Sequence, residues 1–195
     1  MATYKSIAYD QALANPSAMV LLQTETASDS ATISFTSGID STYKEYIFTF
    51  NNIHPATNAA KFSFQGNAAS GSGYDETITS SFFYAYNDEA DSEAAVSYYA
   101  GGDQAEGTAF QRFSSGGVGN GNDECTSGYL HLFNPSSTTF VTHFISRNST
   151  YQDNNSVNDN YVAGYFNTTS AIDEIQFKFD SGNIDTGTFK LYGIA

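Results

Sequence analysis

Apolar and polar residues alternate one by one through most of this chain, and this alternation constrains the fold more than any other feature. It is clear in "ATISFTS" (31–37), "YIFTFNN" (46–52) and "KFSFQG" (61–66). A period of two places the apolar side chains on one face of a β-strand. Gly, Asn, Asp, Ser and Pro clusters separate the runs and favour turns. Because no helical crossovers for parallel strands are readable, the pattern predicts an all-β, antiparallel, jelly-roll-like β-sandwich.

The composition narrows the classes of partner. Seven basic residues against 21 acidic ones give a net charge of −14 over 195 residues. Such a surface repels phosphate, so we expect neither nucleic acid nor a membrane as partner. Cys125 is the only cysteine, which excludes an intrachain disulfide. The first residues do not resemble a signal peptide and no run approaches the ~20 apolar residues of a membrane span. We therefore expect synthesis in a cytoplasm.

The chain is expected to contain an N-terminal arm or docking segment at residues 1–24 and one sandwich domain at residues 25–195. The domain closes on the apolar run "GTFKLYGI", in which Phe189 and Leu191 share one face. An apolar strand so close to a chain end needs a partner. We expect this strand to pair with the preceding run, "IDEIQFKF".

Polar insertions divide the strand-like runs. Because strands build scaffolds and loops vary, these insertions are interpreted as the functional loops. They lie at residues 65–77, 87–93, 101–108, 114–128 and 148–160.

The sequence predicts no catalytic residue, no metal site and no cofactor. His54, His131 and His143 lack the spacing of a metal site and are interpreted as structural residues. The glycine-rich stretch "GGVGNGNDE" has Gly121 where a calcium-binding nonapeptide needs Asp. The motifs of serine hydrolases, phosphate-binding loops and zinc proteases are absent. A glycosidase built from two carboxylates stays open, because nothing singles out one pair among the 21 acids.

Sugar binding is the best-defined ligand hypothesis. Tyr98 and Tyr99 directly precede a loop that carries Asp103 and Gln104. An exposed ring beside amide and carboxylate groups suits a pyranose, so these four residues are the candidate ligand-binding site. The alternative is structural: neighbouring residues of a strand point to opposite faces, so one tyrosine would pack inward.

Two segments carry a resemblance to a known family. They are "FTSGIDSTYKEYIFTFNNIHPATNAAKFSFQ" (35–65) and "TTSAIDEIQFKFDSGNIDTGTFKLYGIA" (168–195). Both resemble a β-rich domain of virion structural proteins from marine tailed bacteriophages of the cyanophage and pelagiphage kind. The resemblance implies a jelly-roll-like fold and a place on the virion, and it carries no catalytic residues.

The resulting expectation is a non-enzymatic virion structural protein, a small capsid decoration or tail-fibre component. Such a protein would be made in the bacterial cytoplasm and dock through its N-terminal arm onto other virion proteins of the capsid or tail. It would form a homo-oligomer, with a trimer as the specific prediction. One alternative is a host-attachment module that binds a host-surface glycan at a tail fibre or tail tip. Another is a glycan-cleaving enzyme on the same scaffold.

Overall fold

The computed structural model describes residues 19–195, which form twelve β-strands and, within that range, no helix. Alternating Phe, Tyr, Ile and Thr residues suit the pleated, half-buried surface of a strand. The strands are β1 (Met19–Ser30), β2 (Ile33–Phe35), β3 (Glu45–Pro55), β4 (Phe62–Ala68), β5 (Ile78–Asp88), β6 (Ala94–Tyr98), β7 (Gln111–Arg112), β8 (Thr126–Phe133), β9 (Thr142–Gln152), β10 (Ser156–Phe166), β11 (Ile172–Phe179) and β12 (Ile184–Ile194).

The strands form two sheets in which neighbouring strands run antiparallel. The larger sheet has eight strands in the order β1-β12-β3-β8-β9-β10-β5-β6, and the smaller has four in the order β2-β11-β4-β7. The prediction of an all-β antiparallel sandwich is confirmed. A jelly-roll connectivity is not established by this strand order and stays a prediction.

Phenylalanine rings fill the space between the two sheets. Phe177 of the small sheet lies 5.5 Å from Phe48 and 5.2 Å from Phe189 of the large sheet, measured between ring centroids. Phe62 stacks on Phe177 at 6.0 Å, and all four rings are fully buried. Burial of aromatic surface and edge-to-face packing together hold the layers in contact.

The predicted pairing of the last two strands is wrong. β12 pairs with β1 and β3 in the large sheet, whereas β11 pairs with β2 and β4 in the small sheet. The connection between β11 and β12 contains Gly182 at a φ of +68°, and it crosses from one sheet to the other. Phe177 and Phe189 therefore face each other across the core. Phe189 and Leu191 do share the buried face, as the alternation predicts.

The predicted boundary between arm and domain, at residue 24, falls inside β1. Residues 19–24 of the predicted arm pair with β12, with Leu21 opposite Tyr192 and Thr24 opposite Lys190. The rest of the predicted arm, residues 1–18, lies outside the described residues.

One predicted functional loop is instead a hairpin. Residues 148–160 belong almost entirely to β9 and β10, joined by a tight turn. Their buried face is polar: Asn148 donates hydrogen bonds to Thr126 (3.0 Å) and Thr150 (2.9 Å), and Asn160 accepts one from the Ser115 backbone at 3.1 Å. With polar side chains on the buried face, the alternation that reveals a strand is missing. Parts of three other predicted loops are also strand: residues 65–68 in β4, residues 87–88 in β5 and residues 126–128 in β8.

Candidate functional site

The outer face of the eight-stranded sheet is the main candidate binding surface. Its other face packs against the small sheet, and the described residues do not cover the outer one. Of the ten large apolar side chains that are exposed in the described chain, eight lie on this face by strand register. They are Met19, Leu21, Phe83, Val96, Tyr98, Tyr129, Ile145 and Val157. A concentration of exposed apolar groups on one sheet face is typical of an interaction surface.

Five side chains of this face form a row that crosses five strands. We call this row the aromatic ridge. Strand register places its members directly opposite one another along the sheet. In spatial order they are Tyr98 (β6), Phe83 (β5), Tyr161 (β10), Arg147 (β9) and Tyr129 (β8).

Stacking and charge fix the centre of the ridge. The rings of Phe83 and Tyr161 are parallel within 3°, with their centroids 4.7 Å apart. The Arg147 guanidinium lies 4.9 Å from the centroid of Tyr161. Arg147 also donates two hydrogen bonds to the Asp159 carboxylate, at 2.9 and 2.8 Å, and the Tyr161 hydroxyl donates a third at 2.8 Å. A bidentate pair of this kind holds both side chains in one geometry.

These contacts shift the proton affinities of the groups involved. Hydrogen bonding from Arg147 lowers the pKa of Asp159, because it stabilises the carboxylate. The same carboxylate raises the pKa of Tyr161 and of the Arg147 guanidinium. The ridge centre is therefore a fixed ion pair at neutral pH.

Acid is expected to remove the stabilising effect of this ion pair. The pKa of Asp159 is lower in the folded chain than in the unfolded one. The ion pair therefore stabilises the fold fully above the unfolded pKa of about 3.9. The contribution is lost as the pH falls through the folded pKa. Thermal unfolding of the wild type and Asp159→Asn between pH 7 and pH 2 should show a small wild-type advantage that shrinks below about pH 4. An equal advantage at both ends of that range would contradict the assignment.

Two of the four predicted ligand-binding residues lie together at the surface, and the other two have separate structural contacts. Tyr98 is 58% exposed, and its hydroxyl donates a short hydrogen bond to the Asp103 carboxylate, which raises the pKa of Tyr98. Tyr99 points to the other face, where its ring packs 5.2 Å from Phe82. Tyr98 and Asp103 are therefore together at the surface, whereas Tyr99 is part of the packing.

The fourth residue, Gln104, holds its own loop. Its side-chain amide donates to the Ala109 carbonyl at 2.9 Å, and its backbone N–H donates to the Ser80 hydroxyl at 3.0 Å. These bonds hold residues 101–108 beside the first part of β5, which does not pair with β6. A ligand role for any of the four residues stays a prediction.

A groove of about 600 Å³ lies beside the ridge on the same face. We call it the outer groove. It is lined chiefly by Ser81 and Thr79 of β5, Ala163 and Tyr165 of β10, Ile145 of β9 and Phe133 of β8. Strand register places Ser81, Ala163 and Ile145 in one row next to the ridge, and Thr79, Tyr165, His143 and Phe133 in the row beyond it.

Sequence reasoning missed the ridge and the groove. The local signal was present, since "TSSFF" places Thr79, Ser81 and Phe83 on one face and "NYVAGYF" places Tyr161, Ala163 and Tyr165 on one face. Membership of one row, however, depends on which strands are neighbours and on their register. Neither follows from local alternation.

The three histidines occupy separate places, each with its own contacts. His54 lies 3.3 Å from Asp185 and 3.0 Å from the Gly121 carbonyl oxygen. His131 lies 2.9 Å from Glu45. The His143 ring lies 5.8 Å from that of Tyr165, in an edge-to-face arrangement. Within residues 19–195, no three His, Cys, Asp or Glu side chains group closely enough to hold a metal ion.

A second cavity, of about 470 Å³, lies near the turns that join β5 to β6 and β9 to β10. Tyr151 donates a hydrogen bond to Glu89 at 2.8 Å there, and this contact raises the pKa of Tyr151 to about 12. Cys125 also lines the cavity, and burial raises the pKa of its thiol. A raised pKa disfavours the thiolate, so this cysteine is a poor nucleophile.

The opposite edge of the large sheet carries a smaller apolar patch. Met19, Leu21 and Leu22 are 45%, 52% and 37% exposed. A register irregularity between Leu21 and Gln23 leaves both leucines on the surface. We call these three residues the β1 apolar edge. Among the described residues, no strand pairs with the outer side of β1.

Comparison with known proteins yields no relative. No protein-family model matches the chain, and neither the curated proteins nor the solved structures contain a match. No helix suited to crossing a membrane occurs among residues 19–195.

Proposed function

We propose that this chain is a non-enzymatic structural protein of a bacteriophage particle, which docks through the β1 apolar edge. The observation that carries the docking step is the exposure of Met19, Leu21 and Leu22 on an edge strand. An edge strand offers unpaired N–H and C=O groups to a strand of another protein, and exposed apolar side chains add affinity. The phage context comes from the resemblance of residues 35–65 and 168–195 to virion proteins.

The sheet separates docking from display. β1 and β6 are the two outermost strands of eight, so seven inter-strand spacings, about 34 Å in total, lie between them. A partner on β1 therefore leaves the aromatic ridge, centred on β5 and β10, accessible. This arrangement suits a decoration or fibre component, with one edge on the particle and the other facing outward.

The proposed partners are proteins. They are a capsid or tail protein of the particle and further copies of this chain, with a trimer as the expected homo-oligomer. The net charge of −14 disfavours nucleic acid.

The docking edge can be tested on the isolated protein. Leu21→Lys combined with Leu22→Lys places two charges on the β1 apolar edge without touching the core, so folding should be unchanged. Analytical ultracentrifugation should then show an oligomer for the wild type and a monomer for the double variant. Phe140→Lys is the matched control, since Phe140 is 71% exposed elsewhere and should leave the oligomer intact. A monomeric wild type would contradict the proposed homo-oligomer, and an oligomer that survives the double substitution would count against this edge as the contact between copies.

Recognition of a host-surface glycan is a second candidate function, favoured by one observation. Tyr98 and Phe83 expose 58% and 46% of their surface at the free end of the sheet, and Asp103 adds a carboxylate beside Tyr98. Aromatic rings with neighbouring polar groups are what a sugar-binding surface requires. The two functions are compatible, because they use opposite edges of the sheet.

A further inference from the structure

We propose that the outer groove binds a neutral oligosaccharide whose sugar rings lie across strands β5, β10, β9 and β8. This inference rests on the second candidate function and assigns it a site and a ligand class. The proposed site is not the one that the sequence predicts. Of the four predicted residues, Tyr98 belongs to the neighbouring aromatic ridge and Asp103 is hydrogen-bonded to it.

The groove exists because two small side chains lie between larger ones. Ser81 and Ala163 are opposite each other in the register, and both are exposed. On one side of them stand the stacked rings of Phe83 and Tyr161, and on the other stands Tyr165. Successive same-face rows of a strand are about 7 Å apart, so the flanking rows are about 14 Å apart. This spacing leaves a channel over β5 and β10 that has aromatic side chains on both sides, and Ile145 of β9 follows Ser81 and Ala163 in the same row.

The size of the groove fits a small ligand. Its volume of about 600 Å³ lies within the ~300–1,000 Å³ of typical ligand sites. It contacts four adjacent strands, so it extends over about 14 Å across the sheet. A short oligosaccharide is an extended ligand of this kind.

The chemistry of the lining favours a sugar. A pyranose has an apolar C–H face that packs on aromatic side chains, here Tyr165 and Phe133, and hydroxyls at its rim that hydrogen bond. Ser81, Thr79 and His143 supply polar groups along the same channel. A lipid chain would leave these polar groups without partners, at a cost that a sugar avoids.

The charge of the site defines the class of sugar. No Lys, Arg, Asp or Glu lines the groove. The nearest cation on the ridge, Arg147, is already paired with Asp159 at 2.8 Å. An acidic sugar would therefore find no free cation in the groove and would be repelled by a chain of net charge −14. A neutral sugar needs no cation and is not repelled by the negative charge of the chain.

The test uses the whole chain and a matched pair of substitutions. Ala163→Trp fills the floor of the groove, whereas Ala94→Trp adds the same side chain to an exposed position of β6 outside it. An array of neutral oligosaccharides (oligomers of glucose, mannose, galactose and N-acetylglucosamine) is screened together with acidic ones. The strongest neutral binder is then titrated by calorimetry against each variant. We expect a neutral binder whose affinity falls at least tenfold in Ala163→Trp and stays unchanged in Ala94→Trp.

The other outcomes overturn different parts of the inference. A neutral binder that Ala163→Trp still binds normally would overturn the site and leave glycan recognition standing. Binding of acidic sugars only would overturn the neutral ligand class, and binding of no sugar would overturn both the site and glycan recognition. Neither result bears on the docking proposal. Phosphatidylcholine vesicles are the apolar probe, and vesicle binding that Ala163→Trp blocks, in place of sugar binding, would also overturn the ligand class. If Ala163→Trp does not fold, Tyr165→Ala removes a wall instead and should weaken the same binder at least tenfold.

Discussion

Phe177→Ala is expected to destabilise the protein by about 3–5 kcal/mol, the usual cost of emptying a buried phenylalanine site. The ring is fully buried at the centre of the interface between the two sheets. Its removal opens a cavity that both sheets border, and a sheet cannot collapse onto a void without breaking its register. The six rings within 6.3 Å of its centroid are Phe35, Phe48, Phe50, Phe62, Phe113 and Phe189.

Urea unfolding followed by far-ultraviolet circular dichroism measures this loss, since the chain has no tryptophan to report it. Phe140→Ala is the control, because Phe140 is 71% exposed and its truncation should change the free energy of unfolding by less than about 0.5 kcal/mol. Similar losses for both variants would contradict the central position of Phe177.

Gln65→Leu is expected to cost about 1–3 kcal/mol, through hydrogen bonds and not through volume. Gln65 is fully buried on β4, and its side-chain amide nitrogen lies 3.0 Å from the Glu76 carbonyl oxygen, 3.2 Å from that of Thr108 and 3.1 Å from that of Ala109. Its side-chain oxygen accepts the Gly66 N–H at 2.8 Å. Leucine has a similar size but leaves these buried groups without their partner.

The sheet itself supplies a control for Gln65. Gln176 lies directly opposite Gln65 on β11, but it is only half-buried and its amide donates to the Ser34 hydroxyl at 2.9 Å. Gln176→Leu should therefore cost much less than Gln65→Leu in the same urea experiment. Equal losses in the free energy of unfolding for the two variants would show that the buried hydrogen bonds of Gln65 do not determine its contribution to stability.

The fold class could be predicted from the strands that have one apolar and one polar face. The runs "YIFTF" and "KFSF" alternate because Phe48, Phe50, Phe62 and Phe64 all point into the core. From the sequence, the turn end of the β9–β10 hairpin, residues 148–160, is interpreted as a loop because its buried face carries polar side chains such as Asn148. Its stability comes from hydrogen bonds between buried side chains, which local alternation does not reveal.

Pairing and site geometry were less accessible from the sequence. β11 and β12 are adjacent in the chain, and adjacent strands usually pair, yet Phe177 and Phe189 face each other across the core from different sheets. The sequence could place Tyr98 beside Asp103 because the two are five residues apart, and their ligand role stays a prediction. It could not reveal the stacked rings of Phe83 and Tyr161, which lie on strands that are far apart in the sequence.

A reconstruction of the phage particle that contains this chain, by electron cryomicroscopy, tests the proposed function most directly. The proposal predicts repeated copies of the sandwich on the capsid or tail, with β1 against the particle and β6 facing solvent. Absence of the chain from purified particles would contradict the virion assignment. A sandwich attached through β6, with β1 exposed, would contradict the proposed orientation.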